Sequence, residues 1–210
     1  FEKAKDAFIQ CFRARKASLG LAHPDTLWAQ SCVGHVLSAT RRFDRAEETI
    51  REALEGQKKM LGEEHPSTLL TERYLATACQ GLGRYEEAAD RFEHVLCANR
   101  KHFDDTHPDM LLCKGGLASV FRATGKLQEA KALQVETLSL QQQVLPVGHP
   151  DILWTQGSLA ATLEELGEHQ HAKELLEEVL RQRESSLGCK HPYTQWTRDT
   201  LQALVEGGLQ

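Results

Sequence analysis

Leu61-Gly62-Glu63-Glu64-His65-Pro66-Ser67-Thr68-Leu69 is the stretch whose reading decides the fold, because its central dipeptide recurs. His-Pro stands at His23-Pro24, His65-Pro66, His107-Pro108, His149-Pro150 and His191-Pro192, and each copy follows the last by 42 residues without insertion or deletion. A fixed period between about 20 and 50 residues marks a stack of repeated supersecondary units. Proline at the first helical position forfeits an N–H that had no partner in any case. The residue before it is pushed into the extended conformation an N-cap requires. Each Pro therefore starts a helix, with Asp25, Asp109 and Asp151 placed where a carboxylate favours the positive helix end. The five histidines read as boundary residues.

Working outward, an apolar-small pair lies ten residues after each His: Val33-Gly34, Leu75-Ala76, Leu117-Ala118 and Leu159-Ala160. Leu37, Cys79, Phe121 and Leu163 follow four residues beyond the apolar member and complete a helical stripe. A break comes next, at Gly83, Gly125 and Gly167, with Arg41 in the first copy. A second helix opens around Phe43, Tyr85, Leu127 and His169. Three residues on, an alanine recurs in every copy (Ala4, Ala46, Ala88, Ala130, Ala172), as expected where another helix passes too close for a larger side chain. Phe12, Leu54, Leu96, Leu138 and Leu180 continue the apolar face of this helix. A Leu-Gly stop closes it at Gly20, Gly62 and Gly188, where glycine suits a left-handed residue past the helix end. The third and fourth junctions read Phe-Asp-Asp-Thr and Leu-Pro-Val-Gly instead.

The unit is thus a hairpin of helix A, about 16 residues, and helix B, about 18, or about 24 and 27 Å long. Residues 1–19 match helix B alone and 192–206 helix A alone. The expectation is an all-α solenoid of stacked antiparallel hairpins, ten helices in one domain, 1–210. Its units are a half repeat 1–22, repeats 23–64, 65–106, 107–148 and 149–190, and a half repeat 191–210. The chain has no initiator methionine and opens inside a repeat on the core-type residue Phe1, as an excerpt of a longer polypeptide would.

Composition agrees with this class. The 210 residues are 40% hydrophobic and carry a net charge of −5, enough for a core and no mark of disorder. Mild acidity argues against a nucleic-acid surface. No apolar run approaches the roughly 20 residues that span a bilayer, and no signal-peptide pattern opens the chain. Cys11, Cys32, Cys79, Cys97, Cys113 and Cys189 fall at six different positions of the repeat and form no Cys-x-x-Cys pair. They read as reduced core thiols of a cytoplasmic protein.

The apolar-small pair, the turn Gly83-Arg84-Tyr85 and the recurring alanine resemble a tetratricopeptide repeat (TPR). The 42-residue period with the Leu-Gly-x-x-His-Pro motif resembles its long variant, found in kinesin light chains and in NLR-like fungal and bacterial signalling ATPases. The resemblance spans the chain. It implies a right-handed superhelix with helix A on the concave face, and a groove formed by positions five, eight, twelve and fifteen after each His. Those positions are Trp28, Ser31, His35 and Ser38; Leu70, Arg73, Thr77 and Gln80; Leu112, Gly115, Ser119 and Arg122; and Trp154, Gly157, Ala161 and Glu164. Two departures stand out. The asparagines that many relatives carry before the apolar-small pair are here Ser31-Cys32, Arg73-Tyr74, Gly115-Gly116 and Gly157-Ser158. The Lys/Asn clamp of relatives that hold chaperone tails is also missing.

Three rows invite chemistry. Trp28, Leu70, Leu112, Trp154 and Trp196 are large and apolar in every copy, which reads first as packing between repeats and second as an apolar floor for a partner. Gln30, Glu72, Lys114, Gln156 and Arg198 are polar in every copy although they fall in the apolar arc, and snorkelling is the mildest account. Arg73, Arg122 and Lys114 would make a basic centre suited to an acidic partner segment, against the plainer reading of a solvated face of mixed charge.

Metal binding has little support, because His169 and His171 lie two apart on a helix and Cys189-x-His191 has no second pair. No phosphate loop or nucleophile motif occurs, so neither a cofactor nor catalysis is expected. The sequence therefore points to a non-catalytic protein-interaction module, the sensor or partner-binding arm of a larger signalling protein. A cargo adaptor like a kinesin light chain and an architectural segment that self-associates through its solenoid ends are the alternatives.

Overall fold

A computed structural model describes the backbone of residues 2–207 and the side chains of 6–206; Phe1 and the Ala4 side chain lie outside the described residues. Among these residues all regular structure is helical. Ten helices follow in order: α1 (Glu2–Leu19), α2 (Pro24–Ala39), α3 (Phe43–Leu61), α4 (Pro66–Gly81), α5 (Tyr85–Asn99), α6 (Pro108–Ala123), α7 (Leu127–Val144), α8 (Pro150–Glu165), α9 (His169–Leu187) and α10 (Pro192–Gly207). Every A helix begins on its proline, and the B helices α3, α5, α7 and α9 begin where the pattern places them.

The histidines do more than mark a boundary. In all five copies the ring Nδ1 accepts the backbone N–H two residues on, that of Asp25, Ser67, Asp109, Asp151 or Tyr193, at 3.1–3.2 Å. The imidazole thus satisfies one of the orphan donors of the first turn. That use requires a neutral ring carrying its proton on Nε2.

The A–B turn forces a positive φ on one residue. Gly83, Gly125 and Gly167 adopt φ of 76–78°, and Arg41 is held at 60° in the same place. The Leu-Gly stops are a correction to the expected left-handed cap. Gly62 (φ 93°, ψ 163°) and Gly188 (φ 85°, ψ 160°) sit in the extended positive-φ region that is open essentially to glycine alone.

The chain divides into two compact units, Phe1–Val120 and Phe121–Gln210, the division falling within α6. In the first, α2 buries ten of its sixteen residues and α3 five of its nineteen, so A helices are enclosed and B helices amphipathic. The small positions mark the helix crossings. Ala46, Ala76 and Ala88 have no exposed surface. A Cβ on Gly34 would lie 2.3 Å from Ile50 Cγ1 and 3.3 Å from the Ala46 carbonyl. Ile50, Leu69, Phe92 and Met110 are fully enclosed, each contributing roughly 1.5–3 kcal/mol of burial. In the second unit Leu159, Ala160, Leu163, Ala172, Leu176 and Leu204 form the core, flanked by Leu138, Leu175 and Leu201.

The B helices of the first unit are joined by ion pairs. Arg51 reaches Glu47 at 2.8 Å and Glu87 at 2.7 Å, Arg84 pairs with Glu47, and Arg91 reaches Glu87 at 2.8 Å. The Arg91 hydrogen bond, with that of Arg51, holds the Glu87 carboxyl down at a pKa of about 2.

Candidate partner-binding site

Helical periodicity brings the groove positions of the first unit to one side of the A helices, where they meet across α2, α4 and α6. The His35 ring stacks on Tyr74 with centroids 4.2 Å apart. The Arg73 guanidinium lies 4.9 Å over the same Tyr74 ring, with Nη2 3.5 Å from Asp109. Gln80 donates to Ser119 Oγ at 2.8 Å. Three polar atoms here are enclosed and without a hydrogen-bond partner: His35 Nδ1, Ser38 Oγ and Arg73 Nε. Burial, with the Arg73 charge beside it, holds the His35 imidazole below its ordinary pKa, which keeps the ring neutral at pH 7. Burial pushes the Tyr74 phenol up.

The remaining positions divide. Ser31 is fully buried and donates to the Trp28 carbonyl at 2.8 Å, and Thr77 donates to the Arg73 carbonyl at 3.1 Å, so neither hydroxyl faces outward as a free donor. Leu70 is half-buried and Gly115 exposed. In the second unit Gly157 is buried with Trp196 beside it, Ala161 is half-buried and Glu164 exposed.

The apolar row is only partly enclosed by neighbouring repeats: Leu70 is half-buried and Trp196 lies beside Gly157. Trp28 is 36% exposed, Leu112 49%, Trp154 65% and Trp196 51%. Large exposed apolar side chains at a repeated position mark a binding face rather than a core.

Four members of the polar row do not snorkel; the fifth, Arg198, is partly exposed and pairs with Glu184 at 2.5 Å. Gln30, Glu72, Lys114 and Gln156 are 2–7% exposed, and Gln30 and Glu72 engage the B helix of their own hairpin. Gln30 donates to Glu52 at 2.8 Å, and Glu72 meets His94 at 3.0 Å and Arg91 at 3.6 Å. Lys114 lies 3.3 Å from Asp105. The basic centre is dismantled by the same geometry: Lys114 is buried, Arg122 pairs with Glu165 at 2.6 Å, and Arg73 faces Asp109.

Cys32, Cys79 and Cys113 are buried free thiols as expected of core residues, and burial pushes them up, Cys32 to about 11 and Cys113 to about 12. Cys97 and Cys189 are exposed, so they are not core residues. No group of three or more His, Cys, Asp or Glu able to hold a metal ion occurs among the described residues. None of the described helices is long and apolar enough to cross a membrane.

A tetratricopeptide-repeat family profile matches residues 25–101 and 108–185. Among solved structures, kinesin-light-chain-type TPR-like repeats from Podosopora anserina share 30% identity at a TM-score of 0.65, covering 88% of this chain and 88% of that one. BtubC (BKLC) from P. vanneervenii superposes with a TM-score of 0.77 at 17% identity, over 99% of this chain and 84% of that one. PlcR of Bacillus thuringiensis, solved with the peptide PapR7 and DNA, gives 0.66 at 12% identity, over 96% and 69%. At such identities the last two establish the fold alone. Comparison with curated proteins gives no significant match.

Proposed function

The chain belongs to the tetratricopeptide-repeat family, and on that premise we propose that it is a non-catalytic protein-interaction module, a partner-binding arm of a larger cytoplasmic signalling protein. The observation that carries this reading is the exposed apolar row on the A helices. In the first unit Trp28 and Leu112 flank the His35–Tyr74–Arg73 cluster, whose enclosed polar atoms lack partners. A protein segment laid across this face would bury the exposed apolar side chains and exclude water from around them. The stacked hairpins already hold the face in place, so little ordering entropy opposes binding. The neutralised charges favour a partner chosen by shape and apolar anchors over one chosen by bulk acidity.

A cargo adaptor of the kinesin-light-chain kind is the second reading, favoured by the 30% identity to such repeats. The parent sequence separates the two: a flanking coiled coil supports the adaptor, and a nucleotide-binding domain with a phosphate loop supports the signalling arm. The binding face is tested by selecting ligands from a displayed peptide library and titrating the selected peptide against Trp28→Ala and Leu112→Ala. Loss of affinity with an unchanged melting temperature is the expected result. Full affinity in both variants would place the site elsewhere.

A further inference from the structure

Eight residues before each His-Pro runs a second polar row: Arg15, Gln57, Asn99, Gln141 and Arg183. It sits near the end of each B helix, and its last four members are nearly inaccessible, at 0–5% exposed. Where the described neighbours settle its purpose, the row ties a B helix to the start of the next A helix. Arg15 Nη1 donates to the Asp25 carbonyl at 3.0 Å and Arg183 Nη1 to the Tyr193 carbonyl at 3.2 Å. Three copies fill the position with a neutral amide, and Gln57 Nε2 and Oε1, Asn99 Oδ1 and Gln141 Oε1 are enclosed without a hydrogen-bond partner, so the fold does not require a charge there. Arg183 carries one all the same.

Among the described residues its surroundings offer it aromatic faces but no anion: the guanidinium carbon lies 5.8 Å over the Tyr193 ring and 5.9 Å over the Trp196 ring. The guanidinium donates to three neutral acceptors, the Tyr193 carbonyl, Thr197 Oγ1 at 2.5 Å and the Leu153 carbonyl at 3.4 Å. No carboxylate pairs with it among the described residues. An arginine carries five N–H donors, so two are left over. Burial drags its pKa below the ordinary arginine range, the direction expected of a cation lacking an anion.

The side chain also lines a cleft of about 320 Å³ between the first turns of α8 and α10 and the last turns of α9. The walls are Leu153, Trp154, Leu187 and Tyr193, and Trp154 and Tyr193 are 65% and 52% exposed. Asp151 also lines the cleft; its side chain is more than half exposed, so solvent screens its repulsion.

We propose that this cleft is a binding site for a carboxylate joined to a flat apolar group, with Arg183 as the anchor and Trp154 and Tyr193 as the walls. The carboxylate would accept the two spare guanidinium protons, the geometry in which arginine binds carboxylates most strongly. The apolar body would cover the exposed rings. A free small acid and an acidic side chain next to an aromatic residue in a partner segment present the same chemistry.

Titration by calorimetry and by indole N–H chemical shifts tests this. The probes are phenylacetate, its neutral isostere phenylacetamide, and the blocked dipeptides acetyl-Glu-Phe-amide and acetyl-Gln-Phe-amide. A charged probe should bind saturably, and its neutral counterpart roughly tenfold or more weakly, as expected for a charge-assisted pair. Phenylacetate binding without the glutamyl peptide assigns the site to a small acid, and the reverse assigns it to a partner side chain. Arg183→Gln installs the residue that stands at positions 57 and 141, so it should fold and lose the charge preference. Should it fail to fold, Trp154→Ala, at an exposed position, should still weaken every charged probe. Equal binding of acids and amides by the wild type, no saturable binding of any acid, or an undiminished preference in Arg183→Gln would each overturn the proposal.

Discussion

Adjacent glycines of α6 should answer the same substitution with opposite signs. At Gly115 an added Cβ meets nothing within 4 Å, so Gly115→Ala should gain the full helix-propensity difference, about 1 kcal/mol. At Gly116 the Cβ would lie 2.5, 2.7 and 3.0 Å from Cζ, Cε1 and Cε2 of Phe92. Carbon atoms pack comfortably at roughly 3.5–4.0 Å, so the ring must retreat by about 1 Å. Phe92 is 1% exposed and has nowhere to retreat. An overpacking penalty of roughly 1–3 kcal/mol then offsets the propensity gain, for a net loss of about 0–2 kcal/mol. Urea unfolding followed by far-ultraviolet circular dichroism reads both variants, with unchanged slopes as the check that only stability moved. For a chain of this size each kcal/mol corresponds to roughly 2–4 °C in melting temperature. Phe92→Leu supplies a second leg, since truncating the ring should cost less in Gly116→Ala than in the wild type. A Gly116→Ala protein as stable as Gly115→Ala would refute the claim that this helix crossing is closed by contact with Phe92.

Two further outcomes follow from the turns and the charges. Arg41 is held at φ 60° where the other copies have glycine, so Arg41→Gly should stabilise by about 0.5–1 kcal/mol, the left-handed strain outweighing the freedom glycine gains when unfolded; an unchanged or lower melting temperature would deny that strain. The Glu87 carboxyl is held at about 2, below its ordinary value near 4.5, so its contribution is complete above about pH 4.5 and drains as pH falls toward 2. Melting temperatures of wild type and Glu87→Gln should accordingly differ at pH 6 and converge near pH 2, and a constant gap would remove Glu87 from the acid response.

The boundaries were the legible part of the sequence, because proline and glycine act on their own backbone. Pro24, Pro66, Pro108, Pro150 and Pro192 each open a helix where the spacing puts them, and Arg41 shows the turn conformation persisting where glycine is missing. What lay hidden depends on the far side of a contact. Periodicity places Trp28 and Trp154 at one position of the repeat but does not say how far neighbouring helices enclose them; Trp28 is 36% exposed with Arg15 5.4 Å over its ring, and Trp154 is 65% exposed. The Gln30–Glu52 and Glu72–His94 links each span 22 residues, a separation that no helical period suggests. Lys114 looked like surface charge only because its partner Asp105 precedes the helix that carries it. The row from Arg15 to Arg183 was visible as five polar residues at one spacing, but its burial needed the neighbouring helix.

Where they are paired, those two polar rows hold adjacent helices in register. The row seven residues after each His links the helices within a hairpin, through Gln30 to Glu52 and Glu72 to His94. The row eight residues before each His reaches the next A helix, through Arg15 to the Asp25 carbonyl and Arg183 to the Tyr193 carbonyl. Apolar contacts alone would tolerate a slipped register, because one methyl replaces another at little cost. A slip of one residue turns a helical side chain by about 100° and leaves a buried amide or carboxylate without its partner, at a cost of roughly 1–3 kcal/mol for each group. At the paired copies hydrogen bonding therefore adds to apolar burial in holding the register, whereas Gln57, with both amide atoms enclosed and unpartnered, adds no such bond. In the first unit the exposed Trp28 stands outside both rows, so the surface around it can change its side chains without disturbing the helices that present it.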